Sequence, residues 1–579
     1  MIKLARVLSL GLLSFVLSVP LAAQTPAQPE AATGRSDKAA VHARRQMVAA
    51  ANPLAAEAGR KILRDGGSAV DAAIATQMVL NLVEPQSSGI GGGAFLVIWN
   101  QPKKALTTVD ARETAPAAAG PDRFLGPDGK PLRFYDAVVG GRSVGVPGVL
   151  RGLELAHKTH GRLPWAALFE PAITLAETGF PISPRLNGLL KSEQHLAKTP
   201  AAKEYFYLAD GSPKPVGTIL VNKPLADTLR TVATRGPDAF YAGEIARDIV
   251  STVRGAANAG DLTEADLAGY RAKERPAVCG PYRRYEVCGM GPPSSGGLTL
   301  LQILGILENY DLKAEAPWSI RGLHLLSEAE RLAYADRGLY MADSDFVPVP
   351  VKGLTDRGYL RGRAAEIRPD ASLKTAQPGT PPLSTAMLGA DDALELPSTT
   401  QISVVDRWGN AVSMTTTIED QFGSRLMVRG FLLNNQLTDF SFSPEEGGKP
   451  VANRVEAGKR PRSSMAPTLV FDRNRRLVLV VGSPGGSAII NYVAKTIVAT
   501  LDWGQDVQSA ISFPNIGSRN GPTEIEVGPS AAAIAASLRA LGHDTRIAEY
   551  TSGIQGIVVT RKGLIGGADP RREGVALGD

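Results

Sequence analysis

Apolar residues recur with helical spacing through most of the first half of the chain. Asn52-Pro53 is a good helix start, and an apolar face from Leu54 to Leu63 follows before Gly66-Gly67 ends the helix. Ser68 then caps a second predicted helix that runs to about Val83. Further helical patterns lie near 148–158, 164–178, 243–254, 298–309 and 319–341, and the run 94–99 is typical of an apolar strand.

The pattern changes near residue 397. Thr400, Ile402 and Val404 alternate with polar residues, which predicts a strand, and the polar segment 391–397 forms a linker before it. Strand patterns follow at 410–418, 477–481, 544–549 and 554–560, and helical patterns at 486–502 and 529–541. The sequence therefore predicts a mixed α/β chain with a sharp boundary at this linker.

Composition narrows the class of protein. The 579 residues are 44% hydrophobic, which is enough to bury a large core and is unlike a disordered chain. The net charge of +6 is small for this length. No basic stripe is interleaved with aromatic residues, so nucleic acid is not an expected partner.

The N-terminus is typical of a signal peptide over residues 1–23. Lys3 and Arg6 precede an apolar run over 7–19, and small residues follow. An uncleaved membrane anchor is the alternative, although the run is short beside the roughly 20 residues of a bilayer span. We expect a periplasmic or secreted protein whose residues 24–40 form a flexible leader.

The two cysteines, Cys279 and Cys288, lie in a predicted hairpin over 276–289. Pairing Arg283 with Arg284 at its tip places the cysteines opposite each other. A cross-strand disulfide and two buried free thiols are both open at this point. No histidine pair lies nearby to complete a zinc site.

Familiar catalytic motifs are missing. None of the six histidines belongs to an HExxH motif, and there is no GxSxG sequence. The glycine clusters at 89–93 and 485–486 lack the Lys-Ser/Thr pair of a phosphate-binding loop. Nothing marks a Ser-His-Asp enzyme, so a different general base is the more informative hypothesis.

Thr399 can supply such a base. A threonine hydroxyl needs an adjacent base to become a nucleophile, and a cut between Ser398 and Thr399 would make the α-amine of Thr399 that base. The reference pKa of an α-amine, about 7.7–8.0, leaves a useful neutral fraction near pH 7. Taken alone, Thr399-Thr400 indicates no more than β-propensity, since threonine is common in strands.

Hairpin geometry strengthens the hypothesis. Residues 406–410 form a predicted turn centred on Trp408, with Gly409 suited to a left-handed position. This register pairs Thr399 with Thr417, whose hydroxyl would then orient that of the nucleophile. A one-residue bulge would shift the pairing.

Together the motifs resemble those of the γ-glutamyltranspeptidase family over nearly the whole chain after residue 23. The matching segments of the first part are GGSAVDAAIA (66–75), EPQSSGIGGG (84–93), DARETAP (110–116), SVGVPG (143–148), PPSSGG (292–297) and EAERLAYADR (328–337). Those of the second part are TTQISVVDRWGNAVSMTTT (399–417), LLNNQLTDF (432–440), KRPRSSM (459–465) and GSPGGS (482–487). Each match is weak alone, but so many in one order are specific.

The resemblance implies a catalytic group. Thr399 is similar to the nucleophile that autocleavage of the Ser398–Thr399 bond releases, and Thr417 to the second threonine that supports it. Gly485 and Gly486 match the family's oxyanion hole. Consecutive glycines that open a helix present free backbone N–H groups, which suits that role.

The resemblance also implies a pocket for the glutamyl group. A guanidinium and hydroxyls would hold its α-carboxylate, and acidic or amide oxygens its α-ammonium. The carboxylate set comprises Arg112, Ser463 and Ser464, and the ammonium set Glu419, Gln436 and Asp439. Without the resemblance, the arginine and the aspartate would be interpreted as surface ion-pair residues.

The sequence departs from the family pattern at three places. Gln401 stands where many relatives have histidine, and Glu419 where members have asparagine or glutamate. The stretch between Asp439 and Ser463 is shorter than in members with a full lid over the glutamyl pocket. Acceptor preference and the balance of hydrolysis against transfer therefore stay open.

As the family implies, we expect an Ntn-hydrolase αββα sandwich, in which two stacked antiparallel sheets are flanked by helices. One precursor would give a large subunit, 24–398, and a small subunit, 399–579, in one intertwined fold. The implied reaction passes the glutamyl group of glutathione, or of another γ-glutamyl compound, through a Thr399 ester to water or to an amino-acid or peptide acceptor. No cofactor or metal is expected.

Two alternatives remain on the sequence. One is a β-lactam side-chain acylase that takes glutaryl or cephalosporin-type substrates on the same fold, because such enzymes resemble this family strongly. The other is an exported binding protein with an inactive Ntn scaffold, against which the intact Thr399, Thr417 and glycine pair argue.

Overall fold

The computed structural model describes residues 34–579 except 383, 385, 386, 392 and 397. The expected signal peptide, residues 1–23, lies outside the described residues. None of the helices in the described part has the length and hydropathy that a membrane span requires.

Strands occur along the whole described chain. They are β1 (Val41–Ala43), β2 (Met47–Ala50), β3 (Gly93–Asn100), β4 (Ala105–Ala111), β5 (Phe180–Pro181), β6 (Ile219–Leu220), β7 (Lys273–Arg275), β8 (Val278–Tyr282), β9 (Tyr285–Gly289), β10 (Thr400–Val405), β11 (Ala411–Thr417), β12 (Met427–Val428), β13 (Phe431–Leu432), β14 (Glu445–Glu446), β15 (Lys449–Pro450), β16 (Thr468–Asp472), β17 (Leu477–Gly482), β18 (Ile516–Gly517), β19 (Thr523–Glu526), β20 (Thr545–Ala548), β21 (Gln555–Thr560), β22 (Gly563–Ala568) and β23 (Val575–Gly578).

Helices fill most of the segments between the strands. They are α1 (Pro53–Arg64), α2 (Ala69–Val83), α3 (Phe134–Val138), α4 (Val149–His160), α5 (Glu170–Thr178), α6 (Pro184–Ser192), α7 (Pro200–Phe206), α8 (Lys223–Arg235), α9 (Asp238–Tyr241), α10 (Glu244–Arg254), α11 (Glu264–Gly269), α12 (Gly296–Leu307), α13 (Ile320–Tyr340), α14 (Val351–Leu354), α15 (Arg357–Ala364), α16 (Ile489–Leu501), α17 (Val507–Ser512) and α18 (Ala531–Ala540). Short 3₁₀ turns lie at Gly141–Ser143, Trp165–Leu168, Leu196–Lys198, Gln436–Asp439 and Gly486–Ala488.

Two antiparallel sheets of seven strands each form the centre of the fold. One has the spatial order β1-β22-β21-β17-β16-β9-β8, and the other β23-β2-β10-β11-β3-β4-β7. An apolar layer drawn from both sheets, including Met47, Trp99 and Phe471, lies between them. Helices α1, α2 and α4 pack on the sheet that contains β10, and α12, α16 and α17 on the other. The expected αββα sandwich is confirmed.

The first two helices begin where the capping residues predict. The Asn52 side chain accepts a hydrogen bond from the N–H of Leu54 at the start of α1. Ser68 and Asp71 form a reciprocal capping box at the start of α2. Helix α2 is buried along its whole length, because the sheet lies on one side and α4 and α5 on the other. A helix that is apolar on nearly every side requires such an enclosed position.

The chain ends complete the sheet that carries the site. β2 pairs with β10 on one side and with the C-terminal β23 on the other. Residues 34–40, the described end of the expected flexible leader, form no helix or strand. Lys38 Nζ donates to the carbonyl oxygens of Asp569 and Arg572 at 2.8 and 2.7 Å. These two hydrogen bonds join the segment to the last part of the chain.

The predicted cysteine hairpin is confirmed. β8 and β9 pair with Cys279 opposite Cys288, and Arg283-Arg284 lies between the last pair, Tyr282 and Tyr285. A disulfide joins the two cysteines. The alternative of two free thiols is therefore wrong.

Candidate active site

Thr399 lies directly before β10, an interior strand of its sheet. β10 and β11 pair without interruption from Thr400 opposite Thr416 to Val405 opposite Ala411. The same register extended by one residue brings Thr399 opposite Thr417, as the turn symmetry predicted. No bulge shifts the pairing between these two strands.

Three oxygen atoms meet at this point. The Thr399 hydroxyl contacts the carbonyl oxygen of Ser398 and lies 3.2 Å from Thr417 Oγ1. Thr417 donates to the same Ser398 carbonyl at 2.8 Å. A hydroxyl thus lies beside the carbonyl of the preceding peptide bond while a second hydroxyl polarises that carbonyl.

Thr417 is itself held by the backbone that follows it. The N–H of Glu419 donates to Thr417 Oγ1 at 2.8 Å. Glu419 has a φ of 78°, a left-handed conformation that side-chain-bearing residues rarely adopt. The left-handed conformation of Glu419 costs conformational energy. It forms a turn that directs the N–H of Glu419 at the Thr417 hydroxyl.

Acidic and amide oxygens line one end of the site. Asp439 Oδ2 accepts a hydrogen bond from Gln436 Nε2 at 2.6 Å. Among the described residues, Asp439 Oδ1 and Gln436 Oε1 are buried without a hydrogen-bond partner. Burial raises the pKa of Asp439 to about 6, although Arg112 opposes the shift. Burial and the charge of Asp439 also raise the pKa of Glu419. This end of the site is therefore suited to a cation.

Arg112 and Asp439 form a buried ion pair rather than a surface one. The guanidinium of Arg112 is 1% exposed and contacts the Asp439 carboxylate. It also donates to the carbonyl oxygens of Pro461 and Arg462 at 3.2 and 2.8 Å. The two residues do form an ion pair, but it is buried, whereas the local sequence without the resemblance would place it on the surface. Local sequence gives no sign that Arg112, directly after β4, and Asp439, in the 3₁₀ turn Gln436–Asp439, lie in the interior.

The linker before the nucleophile is not a fully solvated connection, because its Glu395 is buried and its other described residues are half-buried. The carboxylate of Glu395 contacts Arg337 and the Ser464 hydroxyl, and lies 3.1 Å from Arg462 Nε. Burial alone would raise the pKa of Glu395, but the two arginines lower it to about 2. The N–H of Leu396 donates to Glu419 Oε1 at 3.1 Å. Residues 395 and 396 thus form hydrogen bonds and ion pairs with side chains of the site.

The glycine pair follows β17 on the opposite side of this segment. Gly485 and Gly486 have φ values of 138° and 56°, which strain other residues. A Cβ atom at Gly486 would lie 2.6 Å from the carbonyl oxygen of Glu395 and 2.8 Å from that of Leu396. A Cβ at Gly485 would lie 2.5 Å from the ring of Tyr492. Only glycine lets the backbone approach the segment this closely.

One small cavity gathers most of the predicted residues. Its volume is about 20 Å³, close to the space that one water molecule needs. It is lined by Arg112, Glu395, Leu396, Thr399, Thr417, Glu419, Gln436, Asp439, Ser463, Ser464, Met465, Gly486 and Ile489. Every predicted catalytic and glutamyl-binding residue except Gly485 contributes to this lining. Glu395 and Leu396 of the linker are themselves part of this lining.

Sequence reasoning assigned no role to Arg337, Glu395 or Arg462. Arg337 ends the segment EAERLAYADR, and Arg462 lies within KRPRSSM, so both were inside recognised motifs. The presence of an arginine in a motif whose other residues line the site is the signal that could have identified both.

The side chain of Gln401, one of the departures from the family pattern, contacts Ser403, Ser413 and Thr415.

Two clusters among the described residues have the spacing of metal ligands. One contains Cys279 and Cys288, whose sulfur atoms are bonded to each other. In the other, His324 Nδ1 lies 2.7 Å from His543 Nε2, and the second nitrogen of each ring also has a hydrogen-bond partner. Neither cluster lies at Thr399. The disulfide already joins the two sulfur atoms, and hydrogen bonds already engage the nitrogen atoms of both imidazole rings.

The chain resembles known proteins over most of its length. A family model described as gamma-glutamyltranspeptidase matches residues 55–579. The glutathione hydrolase proenzyme of Bacillus subtilis (strain 168) is 39% identical over 543 residues, which are 92% of this chain and 91% of that protein.

Solved structures agree on the fold. Cephalosporin acylase from Bacillus halodurans superposes with a TM-score of 0.82 at 28% identity, over 95% of this chain and 99% of that one. Gamma-glutamyltranspeptidase from Helicobacter pylori gives a TM-score of 0.56 at 36% identity, over 61% of this chain and 100% of that one. The fold and its neighbours are those of Ntn hydrolases. Within that class, the chain belongs to the γ-glutamyltranspeptidase family.

Proposed function

We propose that this chain is a precursor that cleaves itself between Ser398 and Thr399 and then acts as a γ-glutamyltranspeptidase and glutathione hydrolase. Residues 24–398 would form the large subunit and residues 399–579 the small one. The observation that carries the proposal is the meeting of the Thr399 and Thr417 hydroxyls at the Ser398 carbonyl, inside a cavity lined by the glutamyl-binding set.

Cleavage begins with attack of Thr399 Oγ1 on the carbonyl carbon of Ser398. The hydroxyl proton passes to the amide nitrogen as the C–N bond breaks, the Ser398 acyl group is left on the Thr399 oxygen as an ester, and water hydrolyses that ester. The Thr417 hydroxyl, 2.8 Å from the Ser398 oxygen, stabilises the charge that develops there. Thr399 is left with a free α-amine, and Ser398 with a carboxylate.

Turnover uses the same atoms on a donor amide. The α-amine of Thr399, with a reference pKa of about 7.7–8.0, takes the hydroxyl proton as the oxygen attacks the γ-glutamyl carbonyl. Backbone N–H groups of Gly485 and Gly486 stabilise the oxyanion, and the protonated amine passes its proton to the departing amine. Water or an acceptor amine then releases the glutamyl group from the Thr399 ester.

The unpaired oxygens favour a γ-glutamyl donor over a glutaryl one. Asp439 Oδ1 and Gln436 Oε1 are buried without hydrogen bonds among the described residues, and an α-ammonium would satisfy both. Arg112, Ser463 and Ser464 then hold the α-carboxylate on the same carbon. A glutaryl group lacks the ammonium and would leave these oxygens unsatisfied, which a buried site penalises.

A β-lactam side-chain acylase remains the second candidate function. The observation in its favour is the likeness to cephalosporin acylase from Bacillus halodurans, at a TM-score of 0.82. That likeness concerns the fold as a whole, whereas the two readings differ in the pocket that holds the donor's acyl group.

We also propose that the protein is exported to the periplasm or secreted. The charged and apolar pattern of residues 1–23 supports this proposal. The Cys279–Cys288 disulfide supports it independently, because such bonds persist in oxidising compartments.

The test is an assay of purified protein with glutathione, γ-glutamyl-p-nitroanilide and glutaryl-p-nitroanilide. We expect cysteinylglycine and p-nitroaniline from the two γ-glutamyl donors and a lower kcat/KM for the glutaryl one. Thr399→Ala, purified in the same way, is the control and should be inactive. A higher kcat/KM for the glutaryl donor would establish the acylase reading instead.

A further inference from the structure

The glycine pair of the proposed oxyanion hole gains little rigidity from its own residues. Gly485 and Gly486 have φ values of 138° and 56°, and glycine has more conformational freedom than any other residue. Within the turn, the N–H of Ala488 donates to the carbonyl oxygen of Gly485 at 3.1 Å. An oxyanion hole needs N–H groups aimed at one point, because a displacement of about 1 Å can lower a rate by about a hundredfold. Contacts from outside residues 485–487, the oxyanion turn, are therefore needed to fix it.

Ser487, the last residue of the oxyanion turn, is held through both of its polar groups. Its backbone carbonyl oxygen accepts a hydrogen bond from the Tyr334 hydroxyl. Its side-chain oxygen accepts one from Arg519 Nη1 at 2.7 Å. An ion pair with Glu524 at 2.9 Å holds that guanidinium in place. The chain is thus fixed at the residue that directly follows the two glycines.

The Tyr334 hydroxyl is itself well placed. Tyr334 lies in helix α13 and is 6% exposed. Asn491 Oδ1 lies 2.6 Å from the hydroxyl, and Asn491 Nδ2 donates to the carbonyl oxygen of Ser518 at 3.2 Å, which fixes the orientation of the amide. Burial raises the pKa of Tyr334, so the hydroxyl keeps its hydrogen at every working pH. One neutral hydroxyl therefore joins the oxyanion turn to the first turn of α16.

Tyr334 makes this contact from outside the cavity that contains Thr399. Among the described residues that line the cavity of Thr399, Gly486 is present and Tyr334 is not. Tyr334, Ser487 and Arg519 line a different cavity of about 230 Å³. Tyr334 also precedes the proposed cleavage site in the chain, whereas Ser487 follows it. After cleavage, their hydrogen bond would join the two subunits.

We propose that Tyr334 and Arg519 are positioning residues for the oxyanion turn. By holding Ser487, they keep the glycine N–H groups aimed at the oxyanion, and neither side chain lines the cavity of Thr399. The inference rests on the proposed function and adds two residues that act on its oxyanion hole from behind.

Tyr334→Phe removes the hydroxyl and keeps the ring. The variant should still form the two-chain protein, because the proposed cleavage uses the Thr417 hydroxyl at the Ser398 oxygen. Two ligands with the same α-ammonium and α-carboxylate then report on the turn. With 2-amino-4-boronobutanoic acid, the Thr399 oxygen adds to boron and its proton passes to the α-amine, which leaves a tetrahedral anion. L-Norvaline carries no oxygen at that end and forms no such anion.

The two inhibition constants should respond differently. In Tyr334→Phe, the Ki of the boronate should rise about tenfold to a hundredfold, because it depends on the oxyanion hole, while the Ki of norvaline stays within about twofold. The kcat/KM for γ-glutamyl-p-nitroanilide should fall by a factor similar to the rise in the boronate Ki, since both depend on binding a tetrahedral anion. A general loosening of the fold would weaken both ligands.

Two further variants separate the turn from the rest of the fold. Tyr340→Phe is the matched control, because Tyr340 lies on the same helix, is 5% exposed, and donates to the carbonyl oxygen of Gly379 at 2.8 Å. It should change neither Ki. Ser487→Ala removes the hydroxyl that Arg519 holds, and it should weaken the boronate without weakening norvaline.

Each outcome decides for or against the positioning role. A rise confined to the boronate supports it, whereas equal rises for both ligands, or no rise for either, overturn it. If Tyr334→Phe yields no two-chain protein, Ser487→Ala decides, and an unchanged boronate Ki in that variant rejects the proposal. Wild type that neither binds the boronate nor cleaves γ-glutamyl-p-nitroanilide would instead reject the proposed function on which the inference rests.

Discussion

Replacing the Thr417 hydroxyl tests the geometry of the candidate active site in the most specific way. Thr417→Val keeps the β-branched shape and substitutes a methyl group for the hydroxyl. In the uncleaved chain that hydroxyl lies 3.2 Å from Thr399 Oγ1, and 2.8 Å from both the Ser398 oxygen and the Glu419 nitrogen. The variant therefore removes one donor from the carbonyl under attack and one acceptor from a buried N–H.

The expected loss follows from these contacts. Removing a single positioned hydrogen bond at a reacting oxygen lowers kcat by about tenfold to a thousandfold. This corresponds to about 1.4–4 kcal/mol of transition-state stabilisation. Because the same hydroxyl contacts the Ser398 carbonyl in the precursor, the rate of self-cleavage should fall in the same direction.

The assay measures both rates on matched variants. Appearance of the two-chain form is followed by gel over time, and kcat is measured with γ-glutamyl-p-nitroanilide. Thr415→Val is the control, because that hydroxyl donates to Gln401 Oε1 at 2.7 Å and does not contact Thr399. Thr417→Ser, which keeps the hydroxyl, should retain most activity. Equal losses in Thr415→Val and Thr417→Val would refute the reasoning from strand register.

Asp439→Ala should lose much of the γ-glutamyl activity and far less of any glutaryl activity. The ratio of kcat/KM for the γ-glutamyl donor to that for the glutaryl donor should therefore fall. Equal losses on both donors would favour the acylase function. The kcat/KM profile should have an acid limb below pH 6. Asp439 must be ionised to bind an ammonium; its pKa of about 6 is raised mainly by burial and to a lesser extent by Glu395, which the proposed cleavage would release. This limb should be absent from the residual activity of Asp439→Asn, and its persistence would assign it to another group. Replacing Cys279 and Cys288 together by alanine should lower the free energy of unfolding by about 2–3 kcal/mol, as expected for a short closed loop. Urea unfolding measures this, and an unchanged midpoint would contradict it.

The sequence predicted the elements with strong local signals. Helix α2 has a capping box at Ser68, and hairpin β10–β11 has a turn whose centre fixes its register, so both could be derived from a few adjacent residues. β2 is a short alanine-rich strand whose place depends on pairing with β10 and β23. Both partner strands are far from β2 in the chain, so the local pattern of apolar and polar residues did not predict this strand.

The same distinction applies to the candidate site. The Thr399–Thr417 pairing follows from strand geometry, so it was predictable. Glu395 joins arginines that lie 58 and 67 positions away in the chain. No spacing rule connects residues so far apart, and a polar segment ending in proline is ordinarily a solvated linker. The burial of Glu395 is a consequence of the fold rather than of local sequence.

The central claim is that self-cleavage makes Thr399 the N-terminal nucleophile, and intact-mass analysis with N-terminal sequencing tests it most directly. Without added protease, purified protein should separate into chains of about 40 and about 19 kDa, in proportion to 61.0 kDa for 579 residues. The smaller chain should begin at Thr399, and Thr399→Ala should remain a single chain. A smaller chain that begins at any other residue, or a Thr399→Ala protein that still separates into two chains, would contradict the account.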